Sequence, residues 1–172
     1  MRRQFEINLF GAMNVARAVL PTMRRQRSGL VVTISSVNGL VSNPGGSVYS
    51  ASKFALEGWM EGLAEEIAPL GIRSLIVEPG MMRTNFLDPS TVRQGAEDIA
   101  DYAEAVAGFR TFITQANGAQ QNDPEALAAR IIAEASSPEP ARRILFGADA
   151  HEWASVKCRR LAAEIDASRA RA

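Results

Sequence analysis

The chain has 172 residues, 47% of them hydrophobic and 22% charged, which is enough for one domain with a hydrophobic core. Its net charge is zero, which disfavours a nucleic-acid partner, and no apolar run reaches the roughly 18 residues of a membrane span. A single cysteine, Cys158, excludes a disulfide framework, and the N-terminal residues lack the apolar core of a signal peptide, so we expect a cytoplasmic protein with no metal site.

The first predicted element is a helix from Phe5 to Met23. Its apolar residues recur at steps of three and four, at Phe5, Leu9, Met13, Ala16 and Leu20. Further apolar residues widen this face, which predicts a helix that is buried on more than one side. Such a helix can pack on a sheet and also meet another subunit.

A β-branched run, Leu30 to Ile34, then predicts a strand buried on both faces, as in a parallel sheet. Ser35 and Ser36 follow at its carboxyl end, where ligands bind in open α/β sheets. The loop containing Asn43-Pro44-Gly45-Gly46 leads into the next helix.

The second long helix begins at Ser47 or Tyr49 and ends at Ala68, before Pro69 and Gly71. Gly58 and Gly62 form a G-x-x-x-G spacing, which predicts close packing at that face.

Tyr49 and Lys53 are four residues apart and therefore share one face of this helix. A tyrosine pKa of about 10 needs about 4 kcal/mol to fall to 7. A cation at about 4 Å in a partly shielded site supplies about that much. Only Lys53 and Lys157 among the 19 basic residues are lysines. On the spacing alone, a half-buried tyrosine beside a solvated lysine remains the favoured alternative.

Beyond this helix, Ile72 to Val77 predicts a strand, which Glu78-Pro79-Gly80 breaks sharply. The long segment from Phe86 to Gln121 is weakly periodic, with a helix predicted over Asp98 to Phe112. The remaining predicted elements are a helix capped by Asp123 and ending near Ala135, a strand at Arg143 to Phe146, and a helix at Trp153 to Ala167. The single histidine, His151, is interpreted as a surface or capping residue.

The segments FEINLFG, SSVNGLV, YSASKFALEGWMEGLAEE and IVEPGMMRTNF together resemble the short-chain dehydrogenase/reductase superfamily. The resemblance implies an α/β fold, the second half of a Rossmann-like doubly wound parallel sheet with about three strands and flanking helices. It also implies a catalytic set of Asn8, Ser36, Tyr49 and Lys53. In this set Ser36 hydrogen-bonds the substrate oxygen, Tyr49 passes the proton, and Lys53 lowers the tyrosine pKa. Asn8 helps hold a water that relays protons to the lysine.

The same resemblance implies NAD or NADP as cofactor and an alcohol or ketone, partly apolar, as substrate. Tyr49 and Lys53 would contact the cofactor, with Lys53 on the nicotinamide ribose. Four residues after the second strand match a segment that lies against the nicotinamide, namely Pro79, Gly80, Met82 and Thr84. Residues 81–122 correspond to a variable lid over the substrate, with Met81 and Phe86 contacting it. The alternative for this segment, without a role in substrate binding, is a helical hairpin that closes the core.

No Gly-rich phosphate loop of either Rossmann spacing occurs in the sequence. We therefore expect residues 1–172 to form a single truncated domain, corresponding to the last two-thirds of a family member. Two hypotheses follow: an NAD(P)-dependent oxidoreductase, or a catalytically silent remnant that acts only as a folding or interaction module. The resemblance also implies a homo-oligomer formed through the two long helices.

Overall fold

The computed structural model describes residues 1–92 and 99–171. Its sheet has three parallel strands, β1 (Gly29–Ile34), β2 (Ile72–Pro79) and β3 (Arg143–Phe146), with β2 in the middle. Gly29 pairs with Ile72, and Ile76 pairs with Arg143. The three-stranded parallel sheet with flanking helices confirms the predicted fold class.

The chain begins with helical turns of two kinds. Helix α1 (Arg2–Phe5) continues into a π-helical turn (Glu6–Phe10) and then into α2 (Gly11–Gln26). The predicted helix is therefore present and longer at both ends, but its π turn had no sequence signal. Arg27 ends α2 in the left-handed conformation, with φ of 51°.

The apolar face of this first helical segment is only partly covered. Leu9 and Ala16 are buried, but four apolar side chains on the same segment are exposed, namely Ile7, Phe10, Val15 and Val19. The prediction that the helix is buried on more than one side is thus wrong for the isolated chain. A single helix can turn only part of its circumference toward one sheet.

Helix α3 (Ser47–Ile67) matches its predicted bounds closely and continues into a 3-10 turn (Ala68–Leu70). Gly71 follows with φ of 74°, and a Cβ there would collide with the carbonyl of Arg27. The predicted close packing at Gly58 and Gly62 is wrong within this chain, because a Cβ at either position would have nothing within 4 Å.

The two faces of the sheet carry separate apolar clusters. On one face, the buried residues are Ala16, Met60, Leu63, Ile67, Ile72 and Ile76, so α2 and α3 cover this side. The other cluster joins Leu75, Val77 and Ile144 to Leu127 of helix α5 (Pro124–Ser136). Helices on both faces are what a buried parallel strand requires.

Strand β2 does not break where the sequence predicts. It continues through Glu78 to Pro79, which pairs with Phe146, and the N–H of Gly80 still donates to the carbonyl of Phe146. Proline has no N–H to donate, but at the last position of a strand this loss is tolerated. The break therefore comes after Pro79.

The C-terminal part contains helices α4 (Ala103–Ala116), α5 and α6 (Ala148–Arg169). A 3-10 turn (Ala100–Tyr102) precedes α4; Asp98, where the sequence predicts a helix start, lies outside the described residues. The Asp123 side chain caps α5 by accepting from the N–H of Glu125 at 2.9 Å, as predicted. Helix α6 begins five residues before the predicted Trp153, directly after Gly147. Among the described residues, no helix combines the length and apolar character needed to cross a membrane.

Candidate functional site

The candidate site lies at the carboxyl ends of the three strands. Because the strands are parallel, Ser36 after β1, Gly80 after β2 and Gly147 after β3 belong to the same edge of the sheet. Open α/β sheets bind ligands at this edge. Helix α3 contributes Tyr49 and Lys53 from its first two turns.

Ser36 is fixed by the turn that follows β1. Its side chain is buried and caps the 3-10 turn Val37–Gly39 by accepting from the N–H of Asn38 at 3.1 Å. Since the oxygen accepts this bond, the hydroxyl hydrogen remains available as a donor. The Ser36 hydroxyl lowers the pKa of the Tyr49 phenol, as a hydrogen bond donated by Ser36 to the phenol oxygen does.

Lys53 is one turn beyond Tyr49 and is buried. Its Nζ donates to the carbonyl of Ile34, the last residue of β1, at 3.0 Å, and lies 6.0 Å from the centroid of the Tyr49 ring. The lysine therefore ties α3 to the carboxyl end of β1. The alternative of a solvated lysine is not what the structure shows.

The electrostatics of the pair differ from the sequence expectation. Burial raises the pKa of Tyr49 above its ordinary value of 10.0, and the Ser36 bond only partly opposes this shift. Burial also lowers the pKa of Lys53, and the neighbouring Glu57 carboxylate opposes that shift. The expected lowering of the Tyr49 pKa does not occur in this structure, because desolvation of the phenol outweighs the interactions that stabilise the phenolate.

Asn8 lies within the π turn Glu6–Phe10. Its Nδ2 donates to Oγ of Ser52 at 3.0 Å, and the Ser52 hydroxyl donates to the carbonyl of Tyr49 at 2.7 Å. Asn8 thus contacts α3 next to Lys53 through Ser52. π turns inside helices occur frequently at functional sites.

The segment expected to hold the nicotinamide follows β2. Thr84 Oγ1 accepts from the N–H of Phe86 at 3.3 Å, and Met82 forms an isolated parallel bridge with Asn122. The Pro79 residue is buried, and Gly80 stands against the Asp149 carboxylate so closely that a Cβ would overlap it. The path of this segment is therefore tightly fixed.

Asp149 and Asn122 are residues that the sequence analysis missed. Asp149 Oδ2 accepts from the backbone N–H of Met81 at 2.6 Å, and its Oδ1 accepts from Asn122 Nδ2 at 2.8 Å. The same amide also donates to the carbonyl of Met81 at 3.1 Å. Asp149 comes shortly after β3, and the same position at the carboxyl end of a strand identified Ser36 as a candidate in the sequence. Asn122 has no such feature in the sequence.

Residues 81–122, the expected lid, contact the site through aromatic side chains. The ring centroids of Phe86 and Tyr49 are 5.4 Å apart with an interplanar angle of 55°. Phe109 of α4 packs against Gly45 in the loop before α3, where a Cβ would lie 2.5 Å from the ring. Phe86 remains 53% exposed, and residues 93–98 of this segment lie outside the described part of the chain.

An ionic network between α3 and the sheet was also missed. Arg143 of β3 contacts Glu57 Oε2 at 3.0 Å and Glu61 Oε1 at 2.9 Å, both on α3, and pairs with Glu78 of β2. No sequence signal connects these residues, because they come together only when α3 packs on β2 and β3. Across residues 1–92 and 99–171, no group of three or more His, Cys, Asp or Glu side chains is arranged to hold a metal ion.

The donor groups present fit the nicotinamide riboside half of a dinucleotide. A serine hydroxyl, a phenol and a buried ammonium meet at the edge of the sheet. Hydroxyl and ammonium groups are suitable donors to ribose oxygens and to a carbonyl oxygen. The segment after β2 lies at the same edge and is held there by hydrogen bonds to Asp149, Asn122 and Phe146.

Sequence comparison identifies relatives for this chain. The family model for short chain dehydrogenases matches residues 1–95. A curated relative, Oxidoreductase BOA17 of Botryotinia fuckeliana, is 34% identical over 151 residues, which cover 88% of this chain and 54% of the relative. The chain thus spans about half the length of this relative.

Solved structures agree with this result. A short-chain dehydrogenase from Streptomyces avermitilis is 40% identical with a TM-score of 0.77, covering 94% of this chain and 57% of that one. A short-chain dehydrogenase from Burkholderia cenocepacia in complex with NADP has 26% identity, a TM-score of 0.58, and covers 99% and 57% of the two chains. A Burkholderia phymatum protein in complex with NAD has 25% identity, a TM-score of 0.63, and covers 82% and 51%.

Proposed function

The chain belongs to the short chain dehydrogenase family, and from this membership we propose that it serves an NAD- or NADP-dependent interconversion of an alcohol and a carbonyl. The observation that carries the proposal is the meeting of three groups at the carboxyl edge of the sheet. The Ser36 hydroxyl lowers the pKa of the Tyr49 phenol, and buried Lys53 lies 6.0 Å from the centre of the same ring. These groups provide a hydroxyl donor, a proton carrier and a positive charge in one place.

A bound nicotinamide supplies or accepts the hydride. Ser36 donates a hydrogen bond to the substrate oxygen, and Tyr49 transfers the proton to or from that oxygen. Lys53 contributes a positive charge and holds the nicotinamide ribose. Asn8, fixed by its bond to Ser52, lies beside this turn of α3 and serves the relay of protons to Lys53.

The segment after β2 is the second part of the proposed cofactor site. Gly80, Met82 and Thr84 bind the nicotinamide, with Pro79 directing the chain toward it. The bonds from Asp149 and Asn122 to Met81 support this assignment because they hold the segment against α6 and the start of α5. A segment fixed in this way is already ordered before a ligand binds.

The substrate is proposed to be partly apolar. Met81 and Phe86 lie on the proposed lid, residues 81–122 of the single domain 1–172, and the Phe86 ring packs against Tyr49. Exposed apolar side chains on the two long helices, Phe10 and Val15 among them on the first and Phe54 on α3, favour a homo-oligomer formed through these helices.

The test is a titration of the purified chain with NADH and with NADPH, followed by protein fluorescence. A saturable change is expected with at least one of them, and Lys53→Met should weaken it. Lys157→Met is the matched control, because it removes the only other lysine, on α6. A flat titration with folded protein would favour the catalytically silent alternative.

Turnover is tested separately with a panel of alcohols and ketones. Tyr49→Phe should abolish it while binding of the dinucleotide is largely retained, because the ring stays and only the proton carrier is lost. Tyr102→Phe, which changes the only other tyrosine, should leave the rate unchanged. Turnover that survives in Tyr49→Phe would rule out Tyr49 as the proton carrier.

A further inference from the structure

The buried charges beneath the proposed site balance one another. Lys53, Glu57 and Glu78 are buried, and Arg143 has a side chain only 29% exposed. These groups amount to two cations and two carboxylates. The third carboxylate on Arg143, that of Glu61, is 65% exposed and can be solvated by water. Since buried charges are stable only when they are paired, both cations need compensation by the two buried carboxylates.

Arg143 pairs with Glu78 and, at 3.0 Å, with Glu57, and Glu57 also lies on the same helix face as Lys53. Glu57 is four residues after Lys53, as Lys53 is four after Tyr49. The hydrogen bond of the ammonium goes to the carbonyl of Ile34, which carries no formal charge. The Coulombic influence on Lys53 comes from Glu57.

Glu57 also contacts the turn that carries Ser36. A Cβ on Gly39 would lie 2.6 Å from Cγ of Glu57 and 2.9 Å from Oγ of Ser35. The Arg143 guanidinium donates to Glu57 Oε2 at 3.0 Å and so stabilises the Glu57 carboxylate. Glu57 therefore touches the Ser36 turn on one side and the β3 arginine on the other.

We propose that Glu57, held by Arg143, is the buried counter-charge of Lys53: the two side chains lie one turn apart on one face of α3, next to Tyr49. The inference rests on the proposed function for its catalytic meaning. The charge coupling between Glu57 and Lys53 needs neither cofactor nor substrate and can be measured on the chain alone. The titratable and charged groups around Glu57 are Tyr49, Lys53 and Glu61 on α3, Glu78 on β2 and Arg143 on β3.

The test uses the full chain with carbon-13-labelled lysine, without cofactor or substrate. Two lysines give two side-chain signals, and Lys157→Arg assigns them. Glu57→Gln keeps the shape of the side chain and removes its charge. The titration midpoint of Lys53 should move to lower pH in this variant, because burial is then opposed by no carboxylate. The Lys157 signal should not move.

The wild-type protein provides a second measurement that needs no variant. As pH falls through the titration of Glu57, the Lys53 signal should show a second inflection that Lys157 lacks. Arg143→Met should move this inflection to higher pH, because the guanidinium lowers the pKa of Glu57. Arg142→Met is the matched control, since Arg142 is the residue before β3 and pairs with Glu65 of α3 on the exposed surface.

An unchanged Lys53 midpoint in folded Glu57→Gln, or a Lys53 signal without the second inflection, would overturn the inference. These outcomes are independent of the dinucleotide titration. A flat NADH titration with the expected lysine shifts would reject the proposed function and leave the charge coupling standing. Binding of the dinucleotide and turnover, together with an unchanged Lys53 titration midpoint in Glu57→Gln, would support the proposed function and reject the charge coupling.

Discussion

The Asp149 carboxylate accepts a 2.6 Å hydrogen bond from the backbone N–H of Met81, 68 residues earlier in the chain. Its other oxygen accepts from Asn122, so a single side chain in the first turn of α6 fixes two loops. A negative charge at this end of a helix is also favourable for the helix dipole. The segment after β2 therefore depends on a residue from the C-terminal helix.

We expect Asp149→Ala to lower the free energy of unfolding by about 1–3 kcal/mol, because two partly buried donors lose their acceptor. Urea unfolding at neutral pH measures this difference. Asp166→Ala is the matched control on the exposed part of α6, and we expect a change within about 0.5 kcal/mol. Equal stability of the two variants would contradict the role given to Asp149.

Gly39 and Gly58 should respond in opposite directions to the same substitution. A Cβ at Gly39 meets Glu57 and Ser35, so Gly39→Ala should destabilise the chain by about 1–3 kcal/mol through overpacking. Gly58 lies in α3 with open space around a Cβ, so Gly58→Ala should stabilise it by up to about 1 kcal/mol. Thermal unfolding of the two variants provides the comparison. A stabilised Gly39→Ala would show that the turn and α3 are not in contact.

The stability of the chain should depend on pH through Glu57. Burial raises its pKa above the ordinary value of 4.5, so the folded state binds this proton more tightly than the unfolded state. The contribution of Glu57 to the free energy of unfolding therefore falls as pH rises from about 4.5 through the folded-state pKa.

Glu57→Gln removes this titration, so its urea midpoint should fall less than that of the wild type over the same pH window. Glu65→Gln changes an exposed carboxylate on the same helix and should leave the wild-type profile intact. Parallel profiles for wild type and Glu57→Gln would show that Glu57 has the same pKa in both states.

Tyr49 should ionise above its ordinary pKa of 10.0, because burial disfavours the phenolate. The ultraviolet absorbance of tyrosinate, followed in Tyr102→Phe so that only Tyr49 contributes, measures the midpoint. Ser36→Ala should move it higher, since the serine bond lowers the pKa of the phenol. Ser42→Ala, in the exposed part of the same loop, should not. A midpoint near 7 would restore the expectation based on Lys53.

The strands and α3 could be predicted from sequence because their signals are local. A β-branched run marks β1, and the cap Asp123 with Pro124 marks the start of α5. The end of β2 was placed too early because Pro79 is a strand breaker by residue type. Its actual pairing with Phe146 depends on a strand more than 60 residues away.

The residues of the candidate site also fall into those with a local sequence signal and those that depend on distant partners. Tyr49 and Lys53 could be found because they share a helix face, whereas Asp149 and Arg143 act through partners distant in sequence. The raised pKa of Tyr49 was missed for a related reason. Pairwise spacing reveals the neighbouring charge, but desolvation depends on everything packed around the phenol.

The π turn at Glu6–Phe10 stores one more residue than an α-helical turn of the same height. Deleting a single exposed residue of this turn, Glu6 or Ile7, would therefore let the helix relax to α geometry while the parts before and after it keep their faces. The same deletion inside α2 would rotate everything before it by about 100°, and Asn8 would move away from Ser52 although every side chain of the proposed site was still encoded. A deletion scan of residues 2–26 should therefore find its more tolerated positions inside this turn.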